Sequence, residues 1–348
     1  MNQAAQANDI KVTFINPTSP QDAFWDMVTT AMQVAADDLD IELNVVYARR
    51  NWLKSLDIAK RISNLHDKPD YLVYIFQSQV TQHILNVTER AGVKSFIINT
   101  NVPENEVLKI GKPRKKYQHW IGHMFPDDEH AGYLLAKMLV DKVKNQNPNS
   151  KINMIALGGE RNSSAFLDRS NGASKLVERR NDVSLSQLVY AYWEKEKAYQ
   201  IVSTLLKRYP DTNAIWAASD EMSLGAVRAI EESGKKPGKD IFTGGFDWTQ
   251  NALKAIESGE IVGTVGGHFM EGAWAMVLLH DHFHGIDFVN NIGTTIKSKL
   301  SLLKSDNVLH YQELHSIAWL NQINFRSFSR KFHTDLSTYD FRLPILKN

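Results

Sequence analysis

The chain has 348 residues, no cysteine, and 40 Lys plus Arg against 39 Asp plus Glu, for a formal charge of +1. Without cysteine there is no disulfide framework, thiolate metal site or cysteine nucleophile, and the balanced charge argues against a coat for nucleic acid or anionic membrane. At roughly 100 to 200 residues per domain the length suggests two domains, and no apolar run approaches the ~20 residues of a membrane helix.

Met1 to Asn8 is polar and lacks the basic and apolar regions of a signal peptide. It reads as the start of a mature chain whose signal was removed, although a cytoplasmic protein would read the same way. From Ile10 a strand and helix alternation begins. Ile10 to Ile15 is a β-branched run, and beyond the turn Asn16 to Pro20 the residues Phe24, Val28, Met32, Ala35 and Leu39 fall at helical spacing. Leu43 to Tyr47 is the next strand, followed by a helix carrying Leu56, Ala59, Ile62 and Leu65. Tyr71 to Phe76 is continuously apolar, as expected of a strand buried on both faces of a parallel sheet. Ser95 to Ile98 is the fourth strand, after a helix ending at Ala91-Gly92. Residues 101–119, with Pro103, Pro113 and the basic cluster Lys112, Arg114, Lys115 and Lys116, read as a solvated loop leading into a crossing strand at Trp120 to Gly122.

The alternation then resumes with a helix from Asp128 to Val143, strand Ile152 to Leu157, a helix to Arg180, strand Leu185 to Tyr190 and a helix to Arg208. Strand Ala214 to Ala217, helix Met222 to Glu232, strand Ile241 to Gly245 and helix Gln250 to Glu257 complete a second set. Two βα-repeated halves predict two doubly wound lobes, each with a parallel sheet covered on both faces. Ligands in such sheets sit beyond the carboxyl ends of the strands, so function is sought in the loops there. Past Ile292 the pattern weakens: Thr294 to Leu300 reads as a strand, His310 to Ile323 as a helix, and 325–348 as an aromatic and basic tail lying across the lobes, with docking on a membrane partner as the other reading.

Residues in those loops carry a family likeness. Ser219-Asp220-Glu221-Met222-Ser223-Leu224-Gly225-Ala226, then Gly244-Gly245-Phe246-Asp247, then the run Ile256 to Gly263, together with Asn16-Pro17, Phe24-Trp25 and Asp127-Asp128 before Gly132, resemble the type I periplasmic sugar-binding proteins. The same fold forms the effector domain of lac-repressor-like regulators. The resemblance covers about residues 10 to 300 and implies two lobes joined by three hinge crossings. The N-terminal lobe is expected over 10–124 plus about 268–292, and the C-terminal lobe over 125–267 plus about 293–324.

Carried over residue by residue, the resemblance implies that Phe24 and Trp25 stack on a sugar ring, that Asn99 stands where ribose-type proteins have an aspartate, and that Arg169 pairs with ring hydroxyls. It further implies that Trp193 faces the ligand from the second lobe, that Asp247 is that lobe's aspartate, and that Asp127 sits near the first crossing. Trp248 joins the set as a further aromatic plate, and Ser219 and His268 as polar residues of the same loops. Ser219 in place of the usual Asn, with the long C-terminal extension, is similar to the autoinducer-2 receptor branch, which works with a membrane sensor kinase. Flat aromatics for C–H faces, with forked donors and two-oxygen acceptors for vicinal hydroxyls, are what a sugar requires.

Each residue also has a plainer reading. Phe24 fits the buried face of its helix, Asp247 fits a helix N-cap, Arg169 fits a surface helix charge, and His268 fits a satisfied histidine. Trp120, Trp216, Trp274 and Trp319 are assigned to packing, and Trp52 is left undecided. His280, His282 and His284 have metal-like spacing but end a helix, where histidine complements the dipole, so no metal and no cofactor is expected. No Walker loop, dinucleotide fingerprint or nucleophile elbow occurs, and only nine residues precede Ile10, too few for a DNA-reading headpiece. The expectation is a non-enzymatic periplasmic protein, a monomer without nucleic-acid partners. It captures a sugar or sugar-like ligand by hinge closure and passes it to an ABC transporter. The alternatives are a receptor subunit for a sensor kinase and, from another class, a sugar- or nucleoside-processing enzyme.

Overall fold

A computed structural model describes residues 10–314, 316–334 and 336–343; the expectation for Met1 to Asn8, and the last residues of the tail, lie outside them. In chain order the elements are β1 (Ile10–Asn16), α1 (Ala23–Asp38), β2 (Ile41–Tyr47), α2 (Trp52–Ser63), β3 (Tyr71–Ile75), α3 (Thr81–Ala91), β4 (Lys94–Ile98), α4 (Glu104–Ile110) and β5 (Trp120–Pro126). Then come α5 (Asp128–Gln146), β6 (Ile152–Gly158), α6 (Ser164–Glu178), β7 (Val183–Tyr190), α7 (Lys195–Arg208), β8 (Ala214–Ala217), α8 (Asp220–Glu232), β9 (Phe242–Phe246), α9 (Gln250–Glu257) and β10 (Thr264–Gly266). The chain ends with α10 (Glu271–Phe283), α11 (Val289–Ile292), β11 (Thr295–Ser298), β12 (Ser301–Leu303) and α12 (Ile317–Leu320).

The chain divides into two compact units. The first takes residues up to Phe125, Phe269–Ser298 and the stretch from Ile317, and the second takes Pro126–His268 and Lys299–Ser316. The first contains the sheet ordered β11-β5-β4-β3-β1-β2, and the second the sheet β12-β10-β9-β8-β6-β7. In both, the chain starts at an inner strand, pairs outward once, then returns to build the other side. The strand order therefore reverses between β1 and β3 and again between β6 and β8, which is where doubly wound sheets open a crevice at their carboxyl ends. Central strands are buried on both faces, as β3 (Tyr71, Leu72, Val73 and Tyr74, all at most 2% exposed) and β8 (Ala214 to Ala217, 0%) illustrate. That burial explains their uninterrupted apolar sequences.

Four details depart from the sequence reading. The basic loop contains α4, and Arg114 within it is half-buried and paired rather than freely solvated. Its guanidinium makes a paired contact with Asp287, 2.9 Å on one arm, and lies 5.0 Å from the centre of the Phe288 ring. The strand expected over Thr294 to Leu300 is split: β11 flanks β5 in the first sheet, while β12 runs antiparallel to β10 in the second. One connection thereby covers an open edge on each sheet, leaving no bare ladder beside β5 or β10. In place of the one helix expected over His310 to Ile323, the described residues form a 3₁₀ turn, Val308–Tyr311, and the four-residue α12.

Finally, residues 293–298 and 317–324 group with the first unit rather than the second, and the described part of the tail groups there too, after a fourth passage of the chain between Ser316 and Ile317. The physical reason lies in α10, which is buried from Glu271 through Asp281. A helix apolar on all sides needs cover on all sides, and the tail supplies part of it. Trp274 packs against Phe325, Phe328 and Phe341 at 4.9 to 5.8 Å between ring centres. The buried Asp281 accepts from Arg330 N at 2.6 Å, Tyr339 Oη at 2.9 Å and Ser329 Oγ.

Candidate functional site

Backbone conformation marks the loops first. Of the ten non-glycine residues with positive φ among the described residues, eight (Gln21, Arg49, Arg50, Asn99, Tyr192, Trp193, Asp247 and Trp248) follow the carboxyl ends of β1, β2, β4, β7 and β9. Left-handed backbone costs an L-residue on the order of 1–3 kcal/mol, and such strain concentrates where a loop must aim side chains at a ligand.

In the first unit, Asp22 caps α1 by accepting from Trp25 N at 3.2 Å. The cap places Phe24 and Trp25 on the first turn, half-buried, with their rings edge-to-face at 5.2 Å and Trp25 6.3 Å from the Phe14 ring. Asn99 follows β4 at φ 67° and is 5% exposed. Its N–H is shared between Met124 O and Glu271 Oε2, both at 2.9 Å.

The second unit gathers the charged residues. Arg169 lies on the apolar stripe of α6, among Ala165, Phe166, Gly172, Ala173 and Leu176, so the helix buries it instead of exposing it. At 3% exposure its guanidinium is held on three sides: Nε donates to Asp128 Oδ1 at 2.6 Å, Nη1 to Ala218 O at 2.8 Å and Nη2 to His268 Nε2 at 3.2 Å. Its plane stacks 4.5 Å from the Phe246 ring centre, and Asp247 Oδ1 is 3.7 Å from Nη1. Because Nε2 of His268 accepts from arginine, the proton belongs on Nδ1. Burial and the neighbouring Arg169 push this imidazole down to about 3, so it is neutral near pH 7 and its 3.4 Å approach to Asp247 is not an ion pair.

Burial raises Asp128 above the ordinary carboxylate range against the pull of Arg169. Asp220, fully buried, is raised well above it, first by burial and then by the charge of Asp247. Asp220 accepts from Thr249 N at 2.8 Å and Thr264 Oγ1 at 2.7 Å, and so ties the start of α8 to the left-handed turn Asp247-Trp248 and to β10. Two carboxylates, Asp128 and Asp247, thus approach one guanidinium, which gives the group oxygen acceptors of the kind a hydroxyl-rich ligand needs.

Of the residues expected from sequence, Arg169, Asp247 and His268 come together in the second unit. Trp193 follows β7 at φ 65°, its indole covering Gly159, where a Cβ would meet the ring at 2.0 Å. Trp248 is 2% exposed, its Nε1 donating to Thr264 O at 3.3 Å and its ring 5.3 Å from Tyr311. Asp127 caps α5, accepting from His130 N at 3.3 Å, and Ser219 caps α8, accepting from Met222 N at 3.4 Å. Sequence reasoning passed over Asp128, Asp220 and Glu271. The first two had a readable signal, a carboxylate on the inward face of its helix: Asp128 shares that of Ala131, Gly132 and Leu135, and Asp220 that of Ser223 and Val227.

Of the three histidines expected to be structural, His280 is buried, His282 half-buried and His284 exposed. His282 Nδ1 meets Tyr71 Oη at 2.8 Å, and His284 Nδ1 meets His280 O at 2.9 Å. Among the described residues no three His, Cys, Asp or Glu side chains group as a metal site would require. Among them also, no helix is long and apolar enough to cross a membrane.

This arrangement coincides with a sequence match. The family described as "Periplasmic binding protein domain" matches residues 12–286. The chain belongs to the periplasmic binding protein family. Its paired six-stranded α/β units have the type I fold of that family's sugar-binding members. A periplasmic sugar-binding protein from Pseudomonas fluorescens superposes with a TM-score of 0.87 at 33% identity, covering 95% of this chain and 98% of its own. The ribose import binding protein of Bacillus subtilis (strain 168) is 25% identical over 244 residues, 69% of this periplasmic binding protein and 73% of the relative. The galactofuranose-binding protein of Escherichia coli (strain K12) is 29% identical over 137 residues, 38% of this chain and 42% of that one.

Proposed function

We propose that this periplasmic binding protein captures a neutral sugar or sugar-like polyol and delivers it to an ABC transporter, acting outside the cytoplasm and returning the ligand chemically unchanged. The observation that carries the reading is the Arg169, Asp247 and His268 group at the carboxyl ends of the second sheet, a fixed fork and a two-oxygen acceptor of the kind vicinal hydroxyls need. Phe24 and Trp25 in the first unit supply apolar faces for the C–H side of a ring; Asn99 belongs to the same unit, and Trp193 and Trp248 to the second unit's loops. Relatives that bind ribose and galactofuranose, and a sugar-binding neighbour spanning nearly the whole chain, support the ligand class.

Signalling through a sensor kinase is the alternative partner. The two features that pointed to it have other duties here, since Ser219 caps α8 and the extension groups with α10 in the first unit. That favours the transporter.

The test is a thermal-shift panel of monosaccharides and polyols. A true ligand at 100 times its dissociation constant adds about 2.7 kcal/mol of stability. Removing a charged hydrogen-bond partner costs ~1.5–3 kcal/mol, so Arg169→Ala and Asp247→Ala are each expected to weaken binding roughly 10- to 150-fold. A panel in which no compound moves the melting point removes the ligand claim, and recovery of a chemically altered compound would point to an enzyme.

A further inference from the structure

Glu271 is a carboxylate that the sugar reading does not use. It is the first residue of α10 and is 1% exposed. Its Oε2 accepts the backbone N–H of Asn99 at 2.9 Å, across 172 residues of chain, and its Oε1 accepts from Ser298 Oγ. Each partner stands at a joint. Asn99 is the left-handed residue ending β4, and it also donates to Met124 O at 2.9 Å in β5, next to the passage of the chain at Phe125. Ser298 is the last residue of β11 before the chain leaves the first unit, and Glu271 itself lies two residues past the passage at Phe269. Three of the chain's four passages between units therefore start within a few residues of one hydrogen-bonded group.

The chemistry suits a fixed anchor. A carboxylate at a helix N-terminus is stabilised by the unpaired N–H groups there. With donors on both oxygens it has few other geometries to adopt. A neutral side chain without acceptors would remove one of the two acceptors of the Asn99 N–H and so weaken the hold on its positive-φ turn.

We infer that Glu271 is a positioning residue for ligand binding, holding Asn99 in its left-handed turn and fixing Ser298 where the chain leaves the first unit. This rests on the reading of Asn99 as part of a sugar site, but the clamp itself is measurable without ligand. Amide hydrogen exchange of the intact chain is compared for wild type, Glu271→Ala and Glu271→Gln. The Ala variant is expected to speed exchange of the Asn99 amide at least about tenfold and to loosen 294–299, while β8 and β9 keep their protection. The Gln variant, which retains an acceptor for Asn99 N–H and a partner for Ser298, is expected to restore both.

Unchanged exchange in Glu271→Ala overturns the clamp whatever the ligand. If Glu271→Ala does not fold, Ser298→Ala and Glu271→Gln carry the comparison: the first is expected to loosen 294–299 and spare Asn99, the second to match wild type, and any other result overturns the inference. Calorimetric titration with D-ribose, D-allose and myo-inositol then tests the consequence. If wild type binds one of them, Glu271→Ala is expected to bind it at least about tenfold more weakly, and equal affinity overturns the positioning role. If wild type binds none, the sugar reading loses support and exchange alone judges the clamp.

Discussion

The two units solve the same topological problem with opposite chemistry. The second braces its strand ends with charge, through Arg169 against Asp128, Asp247 and neutral His268, with Asp220 behind them. The first uses aromatic edges, Phe14, Phe24 and Trp25, and one buried glutamate reaching a backbone N–H. In the charged unit the polar groups are locked by one another, so geometry is exact but any lost partner strands a buried charge. In the aromatic unit positions depend on caps and turns, which are individually weaker and fail more gently.

The largest expected effect follows from that difference. Asp128→Ala removes the shortest partner of a guanidinium buried at 3% exposure. Breaking a buried pair on one side costs ~3–5 kcal/mol, so urea unfolding monitored by exchange within β6 and β8 should show the second unit destabilised first. A loss under ~1 kcal/mol would mean that Arg169 is adequately held without Asp128.

Gly132→Ala comes next. A Cβ there would stand 1.8 Å from the Arg169 carbonyl oxygen, so α5 and α6 must separate exactly where the arginine sits. Overpacking of this kind costs ~1–3 kcal/mol. Because Arg169 rides on the displaced turn, sugar affinity should fall along with the melting temperature. Stability lost with affinity intact would detach the helix contact from the site.

Acid separates the units by the sign of their titrations. His123 and His282 in the first unit are pushed down to about 4, chiefly by burial, and His268 in the second to about 3. A base that titrates lower folded than unfolded takes its proton in the unfolded chain first. Its contribution is therefore present above pH ~6.5 and is lost as pH falls from there toward the folded values, at up to ~1.4 kcal/mol per pH unit for a fully buried group. In the second unit Asp128 and Asp220 are raised by burial, and the opposite sign applies: protonation in the folded state returns stability as pH falls through their elevated pKa. Exchange measured between pH 7 and pH 4.5 should show the first unit weakening more than the second, and His123→Gln should flatten the first unit's response. Equal loss in both would contradict the contrast.

The smallest effect is at Ser219. As the α8 cap its loss costs ~1 kcal/mol. If Ser219→Ala lowers stability by that amount and leaves sugar affinity unchanged, the residue is a cap alone; a larger drop in affinity would place its hydroxyl at the ligand.

Much of this was written in the order of the residues. Apolar runs such as Tyr71 to Phe76 fixed the buried strands because a strand covered on both faces has no polar side to show, whereas the caps were misplaced: Asp247, read as a possible N-cap, leaves that position on α9 to Thr249, while Asp22, Asp127 and Ser219 cap their helices. The strand ends were legible as the place to seek function because doubly wound sheets place ligands there. What the sequence could not show was who meets whom across long separations. Glu271 and Asn99 are 172 residues apart, and Arg169 and His268 are 99. No local periodicity encodes such pairs; only the packed sheets bring them within a hydrogen bond. The same holds for the split between β11 and β12 and for the tail on α10, since open edges and uncovered helix faces exist only once the sheets are assembled.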